Sequence, residues 1–227
     1  NQHASNMESW QEEGRTYYRL QGEDIADWHL NQYLHFGDHD DQFGGMELRV
    51  VEHQTAQDDD PPTAVLELAN DFREGKRSVW GVHARNREQN FALDLLTNPN
   101  IDLVTLVGAA GTGKTLLALA AGLAQTLDEQ RYREIIMTRI TTPVGDDIGF
   151  LPGTEEEKMT PWMGALMDNL EVLTQTSDGG DWERAATNEL LSKRIKIRSV
   201  NFMRGRTFQN RYLILDEAQN LTPKQMK

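Results

Sequence analysis

Eight residues near the middle of the chain, Gly108, Ala109, Ala110, Gly111, Thr112, Gly113, Lys114 and Thr115, fit the pattern G-x-x-x-x-G-K-S/T in full. Residues of these types at this spacing bind polyphosphates. The glycines let backbone N–H groups turn inward on phosphate oxygens, and a following helix adds the positive end of its dipole. The lysine then reaches the β- and γ-phosphates, and the final hydroxyl ligates magnesium. The pattern needs a strand before it and a helix after it. "IDLVTLV" (101–107) is a continuous apolar run of the kind found in a buried strand, and "LLALAAGLAQTLDE" (116–129) predicts a long Ala- and Leu-rich helix.

A second candidate lies close to the last residue. In "YLILDE", four apolar or aromatic residues lead into the adjacent Asp216 and Glu217. A buried strand there carries Asp216 to the C-terminal edge of a sheet, where its carboxylate holds the magnesium ion. Glu217 beside it is placed to orient and deprotonate an attacking water, which a nucleotide hydrolase needs and a pure binder does not. The expected cofactors are therefore ATP and Mg2+. Ahead of the loop, "RNREQ" (85–89) supplies Asn86 and Gln89. Asn86 as N-cap with Gln89 three residues on resembles a capping box. Equally, a Gln amide can donate and accept against the edge of adenine. On spacing alone the two readings stand level. His29, His35, His39 and His83 show no metal-ligand spacing with other ligands, so no metal beyond magnesium is expected.

The elements that must position these groups follow from the rest of the chain. With 227 residues, 38% of them apolar, it can bury a sizeable core and is no acidic disordered polymer. No run approaches the roughly 18 apolar residues of a membrane span. The absence of cysteine excludes disulfides, thiolate zinc sites and thiol nucleophiles, and fits a cytoplasmic protein. The first residue is Asn and the start lacks a secretion signal, so residue 1 reads as an internal start.

The net charge of −13 is unevenly spread, with fifteen acidic and only three basic residues in 1–70. Within that stretch, "RTYYRL", "GMELRVVEH" and "TAVLELAND" are short, partly alternating runs between acidic, Gly- or Pro-bearing segments. They predict a small acidic β-rich module over 1–75, with residues 1–12 a loose terminus. From 76 onward, helices are expected in "RNREQNFALDLL" (85–96), in 155–173 behind a capping box of Thr154 and Glu157, and in 182–191. Strands are expected in "REIIMTR" (133–139), "KIRSV" (196–200) and "YLILD" (212–216), with a Gly/Pro loop at 142–153 and a linker at 174–181. Strands alternating with helices imply an α/β domain with a parallel sheet. Positions 193–211 hold seven basic residues and no acid, and the Arg-rich loop "MRGRTFQN" suits phosphate or RNA contact.

Taken in order, the blocks "WGVHARNREQNFALDLL", "VTLVGAAGTGKTLLALAAGL", "VGDDIGFLPGTEEEKMTPWM" and "MRGRTFQNRYLILDEAQNLTPKQMK" resemble the PhoH family of P-loop ATPases over about residues 79–227. The resemblance implies a single RecA-like P-loop core akin to superfamily 1 helicases, and it tips Gln89 toward an adenine contact. It also implies a hexameric ring, with Arg139, Arg204 and Arg206 as candidates for RNA contact or for a finger reaching a neighbour's nucleotide. In longer members a PIN-type ribonuclease domain precedes the ATPase and the proteins unwind and cleave RNA. An acidic β-rich stretch fits the linker of that type. Here Arg139 is followed by Ile140 where the family usually has Pro, and the family's later Thr-Arg-x-Gly loop and Gly-Asp-x-x-Gln sensor are missing. The chain is therefore expected to be a fragment or a split or truncated member. RNA is the expected partner and no membrane role is expected. The rival readings are a nucleotide-switched assembly module with little hydrolysis and, more weakly, a small-molecule kinase.

Overall fold

The structure, a computed structural model, describes residues 7–36, 45–56, 60–139, 193–198, 203 and 205–223. The chain divides into two compact units, Asn1–Asp71 and Phe72–Lys227, so the division falls just ahead of the 75/76 boundary read from composition.

The first unit is a five-stranded antiparallel sheet. Its strands are β1 (Glu8–Glu12), β2 (Arg15–Gln21), β3 (Tyr33–Phe36), β4 (Met46–Gln54) and β5 (Thr63–Leu68), in the spatial order β1-β2-β5-β4-β3. Three of these match the alternating runs. The expectation of a loose terminus through residue 12 is corrected, because Glu8–Glu12 pairs along β2. The turn between them, Glu13 at φ 48° and Gly14 at φ 77°, is left-handed at both positions, and such turns match the twist of a hairpin. Trp10 then stacks on Tyr17 with centroids 5.5 Å apart, and the Arg19 guanidinium lies 5.3 Å from the Trp10 ring centre. Those cross-strand contacts supply what a polar pentapeptide lacks on its own.

One face of this sheet is apolar: Leu20, Leu48, Val50, Ala64 and Leu66 are buried with Ile25, which a single 3-10 turn (Glu23–Ile25) contributes. A bulge in β4 shifts the register between Val50 and Glu52, so Glu52 rather than Val51 pairs with Val65. The opposite face buries charge. The Glu67 carboxylate accepts from both Arg15 and Arg49, and Arg49 Nη1 also donates to Asn31 Oδ1 at 2.7 Å. Glu67 and Arg49 are each only 6% exposed, so the pair is buried, whereas the Arg15 side chain is about a third exposed.

The second unit is mixed α/β. It contains α1 (Arg87–Thr97), α2 (Lys114–Leu123) widening into a π-helical turn over Ala124–Asp128, and the strands β6 (Glu134–Arg139), β7 (Ile195–Ile197) and β8 (Arg211–Asp216). The three strands form a parallel sheet in the order β7-β6-β8. Leu93, Leu117, Leu119, Ala120, Leu123, Ile135, Met137, Ile195 and Ile214 make its core. Gly122 lets α2 lie flat on the strands: a Cβ there would stand 2.8 Å from Tyr212 Cδ1, closer than a side chain tolerates. Burial pushes the Tyr212 hydroxyl well above its ordinary pKa, in keeping with a ring wedged under that helix.

The expected strand at 101–107 is not formed. Residues 101–109 have no regular secondary structure, and Leu103 and Val107 are 84% and 92% exposed. A strand exists only through its neighbour's backbone groups. Among the described residues the ladder ends at β8, whose outward Leu213 and Leu215 are also exposed. The short strand expected at 196–200 appears one residue earlier, as Ile195–Ile197. The loop 142–153, the capping box of Thr154 and Glu157, the helices at 155–173 and 182–191, the linker and Arg204 lie outside the described residues.

Candidate functional site

The glycine-rich loop opens α2 as its spacing requires. Gly111 and Gly113 take φ of 77° and 83°, the left-handed region that costs a side-chain-bearing residue energy, and Gly113 is the N-cap of α2. Its carbonyl accepts the first helical bond, from Leu117 N at 2.9 Å. Within the loop, Thr112 Oγ1 donates to Ala109 O at 2.9 Å. Lys114 folds its ammonium back over the loop, donating to Gly108 O at 2.9 Å and Ala109 O at 2.8 Å. Ala110 and Gly111 form the exposed turn between these contacts.

Strand β8 brings the carboxylates to this loop. In the parallel register Tyr212, Ile214 and Asp216 alternate onto the face that α2 covers, and Asp216 stands opposite Arg139 at the C-terminal edge. Thr115 Oγ1 donates to Asp216 Oδ1 at 3.2 Å, joining residues 101 positions apart. Glu217 follows in a left-handed conformation, φ 55° and ψ 39°, as the strand turns into a 3-10 turn over Ala218–Asn220. Non-glycine residues held there cost about 1–3 kcal/mol and cluster at functional sites. The Gln219 amide, two residues on, donates to Glu217 Oε2. Residue types alone gave no signal for Gln219, because its role depends on that tight turn.

Asn86 is the N-cap of α1, in extended conformation, and its Oδ1 accepts from Gln89 N at 2.9 Å. The reciprocal half of a capping box is absent. Gln89 Oε1 instead accepts from Arg85 N at 2.8 Å, and Gln89 Nε2 donates to Thr112 O at 3.2 Å. Arg139 is placed by strand register only. Arg206 is exposed, with its backbone N–H on Met203 O at 3.4 Å. Arg211, from the same basic stretch, sits at the opposite, N-terminal edge of the sheet. There its Nε pairs with Glu134 at 2.6 Å, beside a cleft of about 440 Å³ that it lines with Arg133, Thr207, Gln209 and Asn210. Among the described residues no group of three or more His, Cys, Asp or Glu side chains could hold a metal, and no helix is long and apolar enough to cross a membrane.

A glycine-rich loop at a helix N-terminus, facing an aspartate on a parallel strand, defines an α/β protein compatible with the P-loop NTPase fold. The family model described as PhoH-like protein matches residues 81–227, and the chain belongs to the PhoH family. It is 45% identical over 149 residues to the protein PhoH2 of Bacillus subtilis, covering 66% of this chain and 33% of that one. With PhoH2 of Mycolicibacterium smegmatis it shares 40% identity, covering 65% and 32%. A PhoH-like protein of Mycobacterium leprae is 34% identical over 182 residues, covering 78% and 48%. The chain thus spans about a third of the length of the PhoH2 relatives it matches.

Proposed function

We propose that this chain is the ATP-binding and ATP-hydrolysing part of a PhoH-family protein, built on a RecA-like core and coupled to RNA unwinding or degradation. The observation that carries the reading is the 3.2 Å contact between Thr115 Oγ1 and Asp216 Oδ1. Two hard oxygen donors converge beside the phosphate loop, and magnesium is typically held by one or two carboxylates together with substrate phosphates and waters. Thr115 and Asp216 would hold that ion, whose charge would offset that of the phosphates when bound. The chain's own groups supply the rest. Inward N–H groups of the loop bind the phosphates, and Lys114 exchanges its loop carbonyls for the β- and γ-phosphate oxygens. Glu217 accepts a proton from the attacking water.

RNA is the proposed partner, supported by the run of seven basic residues in 193–211. A ring of identical copies is the proposed assembly, in which Arg139, Arg204 or Arg206 of one copy meets RNA or a neighbour's γ-phosphate. The cysteine-free sequence supports a cytoplasmic setting.

The deciding measurement is magnesium-dependent phosphate release from ATP with and without single-stranded RNA. Release that rises with RNA is expected. ATP binding without turnover under both conditions would instead favour a nucleotide-switched assembly module. Lys114→Ala tests the loop itself. Losing a charged hydrogen bond to phosphate should weaken MgATP binding roughly tenfold to a hundredfold. Equal affinity of variant and parent in calorimetry would remove the phosphate assignment.

A further inference from the structure

We propose that the N-terminal edge of the parallel sheet carries a second polyanion site, which takes the phosphodiester backbone of single-stranded RNA away from the nucleotide. The proposal rests on the reading of RNA as the partner and names the arginines that meet it. The two edges of the sheet are well separated. Glu134 stands opposite Arg211 at one end of the β6–β8 ladder, and Arg139 stands opposite Asp216 at the other, five residue steps away. At about 3.3 Å per step the two ends are roughly 16 Å apart. A ligand centred at the N-terminal edge is therefore outside hydrogen-bond reach of the proposed phosphate loop.

Three arginines reach that edge from three neighbouring strands. Arg211 opens β8, Arg133 directly precedes β6, and Arg194 directly precedes β7. Because Ile195 of β7 pairs with Ile135 of β6, Arg194 and Arg211 fall on either side of Glu134. With strands about 4.8 Å apart, these backbone positions span about 10 Å across the edge. A row of cations of that length suits a chain that repeats its charge, whereas one carboxylate would engage only one of them. Glu134 offsets a single arginine and leaves the row at a net +2. The row is also fixed in place. Arg194 Nη1 donates to Arg133 O at 2.8 Å, Arg133 N donates to Asn210 O at 2.9 Å, and Arg211 Nε pairs with Glu134 at 2.6 Å. Between these walls lies the cleft of about 440 Å³, a volume typical of ligand pockets, and no acidic residue lines it among the described residues. Arg133 and Arg211 bring guanidinium forks that match phosphate oxygens. Thr207, Gln209 and Asn210 add a hydroxyl and two amides, groups that commonly meet phosphate and sugar oxygens. Among the described residues the Arg133 guanidinium is exposed and has no partner, so its charge is available to a ligand.

The test measures binding of a fluorescein-labelled oligouridylate by anisotropy across a series of salt concentrations. The proteins compared are the parent, Arg133→Ala, Arg133→Glu, and Arg133→Ala combined with Arg194→Ala, with MgATP affinity measured in each by calorimetry. Arg133→Ala removes a side chain that braces nothing else among the described residues, so its melting temperature should match the parent's. Its RNA affinity should fall about tenfold, the loss of one charged hydrogen bond. The slope of log K against log salt should become shallower by about 0.7, the share of one phosphate contact on a single strand. The double variant should lose more of both, and Arg133→Glu should bind RNA more weakly than Arg133→Ala. MgATP affinity should stay at the parent's value, because the nucleotide belongs to the other edge. Parent-like RNA affinity and salt slope in the double variant would overturn the proposal. So would a loss of RNA affinity matched by an equal loss of MgATP affinity, which would make the two sites one. A changed oligomeric state with unchanged RNA affinity would make this edge a contact between copies and would overturn it as well. A parent that binds no RNA would remove the RNA reading along with this one, whereas a parent that binds RNA and variants that do not differ would remove this one alone.

Discussion

Glu217→Gln is expected to bind MgATP like the parent and to lose turnover by about 10²–10⁴-fold, the range over which a positioned general base contributes. The substitution keeps size, keeps the capacity to meet the Gln219 amide, and leaves Asp216 and Thr115 in place. What it removes is a carboxylate oxygen able to take a proton from water. The backbone gives that carboxylate its position. Glu217 turns out of β8 in the left-handed region, and the 3-10 turn that follows brings the Gln219 side chain back onto Oε2. Phosphate release is the measurement, with calorimetry confirming binding. A residual rate close to the parent's would remove Glu217 as the base and leave the phosphate loop standing.

Glu67→Ala should be among the most damaging single changes in the first unit. The carboxylate sits between Arg15 and Arg49, and the Arg49 side chain is 8% exposed. Breaking a buried pair by removing one partner costs about 3–5 kcal/mol, because the charge that stays behind keeps its desolvation cost and loses the attraction of the Glu67 carboxylate. A unit of 71 residues has an expected total stability of roughly 4–11 kcal/mol. The loss is therefore a large fraction of the unit's stability. Urea melts followed by the fluorescence of Trp10 and Trp28 should show the first unit opening at much lower denaturant. MgATP affinity should persist, since every residue of the proposed phosphate site belongs to the second unit. Arg15→Ala should cost less, about 0–1 kcal/mol, because the Arg15 side chain is 36% exposed and its charge is partly hydrated. A Glu67→Ala melt that overlays the parent's would show that the buried pair contributes no net stability.

Some of this was legible in the residues because the physics involved is local. The loop Gly108–Thr115 declares itself by needing glycine where φ is positive, a lysine and a hydroxyl at one spacing, and a helix behind it. The Asn86 cap, α1, α2 and the apolar strands around "IIM" and "LIL" are likewise consequences of a few neighbouring residues. The charge change that separates an acidic first unit from a near-neutral second one is a property of composition. Other features depend on partners far away in sequence, and no window of residues contains them. An apolar run becomes a strand only if an edge is offered to it: β8 has β6, whereas Ile101–Val107 has no ladder partner among the described residues. The polar Glu8–Glu12 becomes a strand because β2 folds back beside it and Tyr17 receives Trp10. Glu67 and Arg49, which read as ordinary alternating surface charges, are buried because sheet register sets them against each other. Both amide ends of Gln89 were open in the sequence, and only the approach of the loop to α1 gave them backbone partners. The hydroxyl of Thr115 and the carboxylate of Asp216 were legible as two separate motifs. Their meeting is a property of the parallel sheet, which carries the end of β8 to the start of α2 and so makes one site of them.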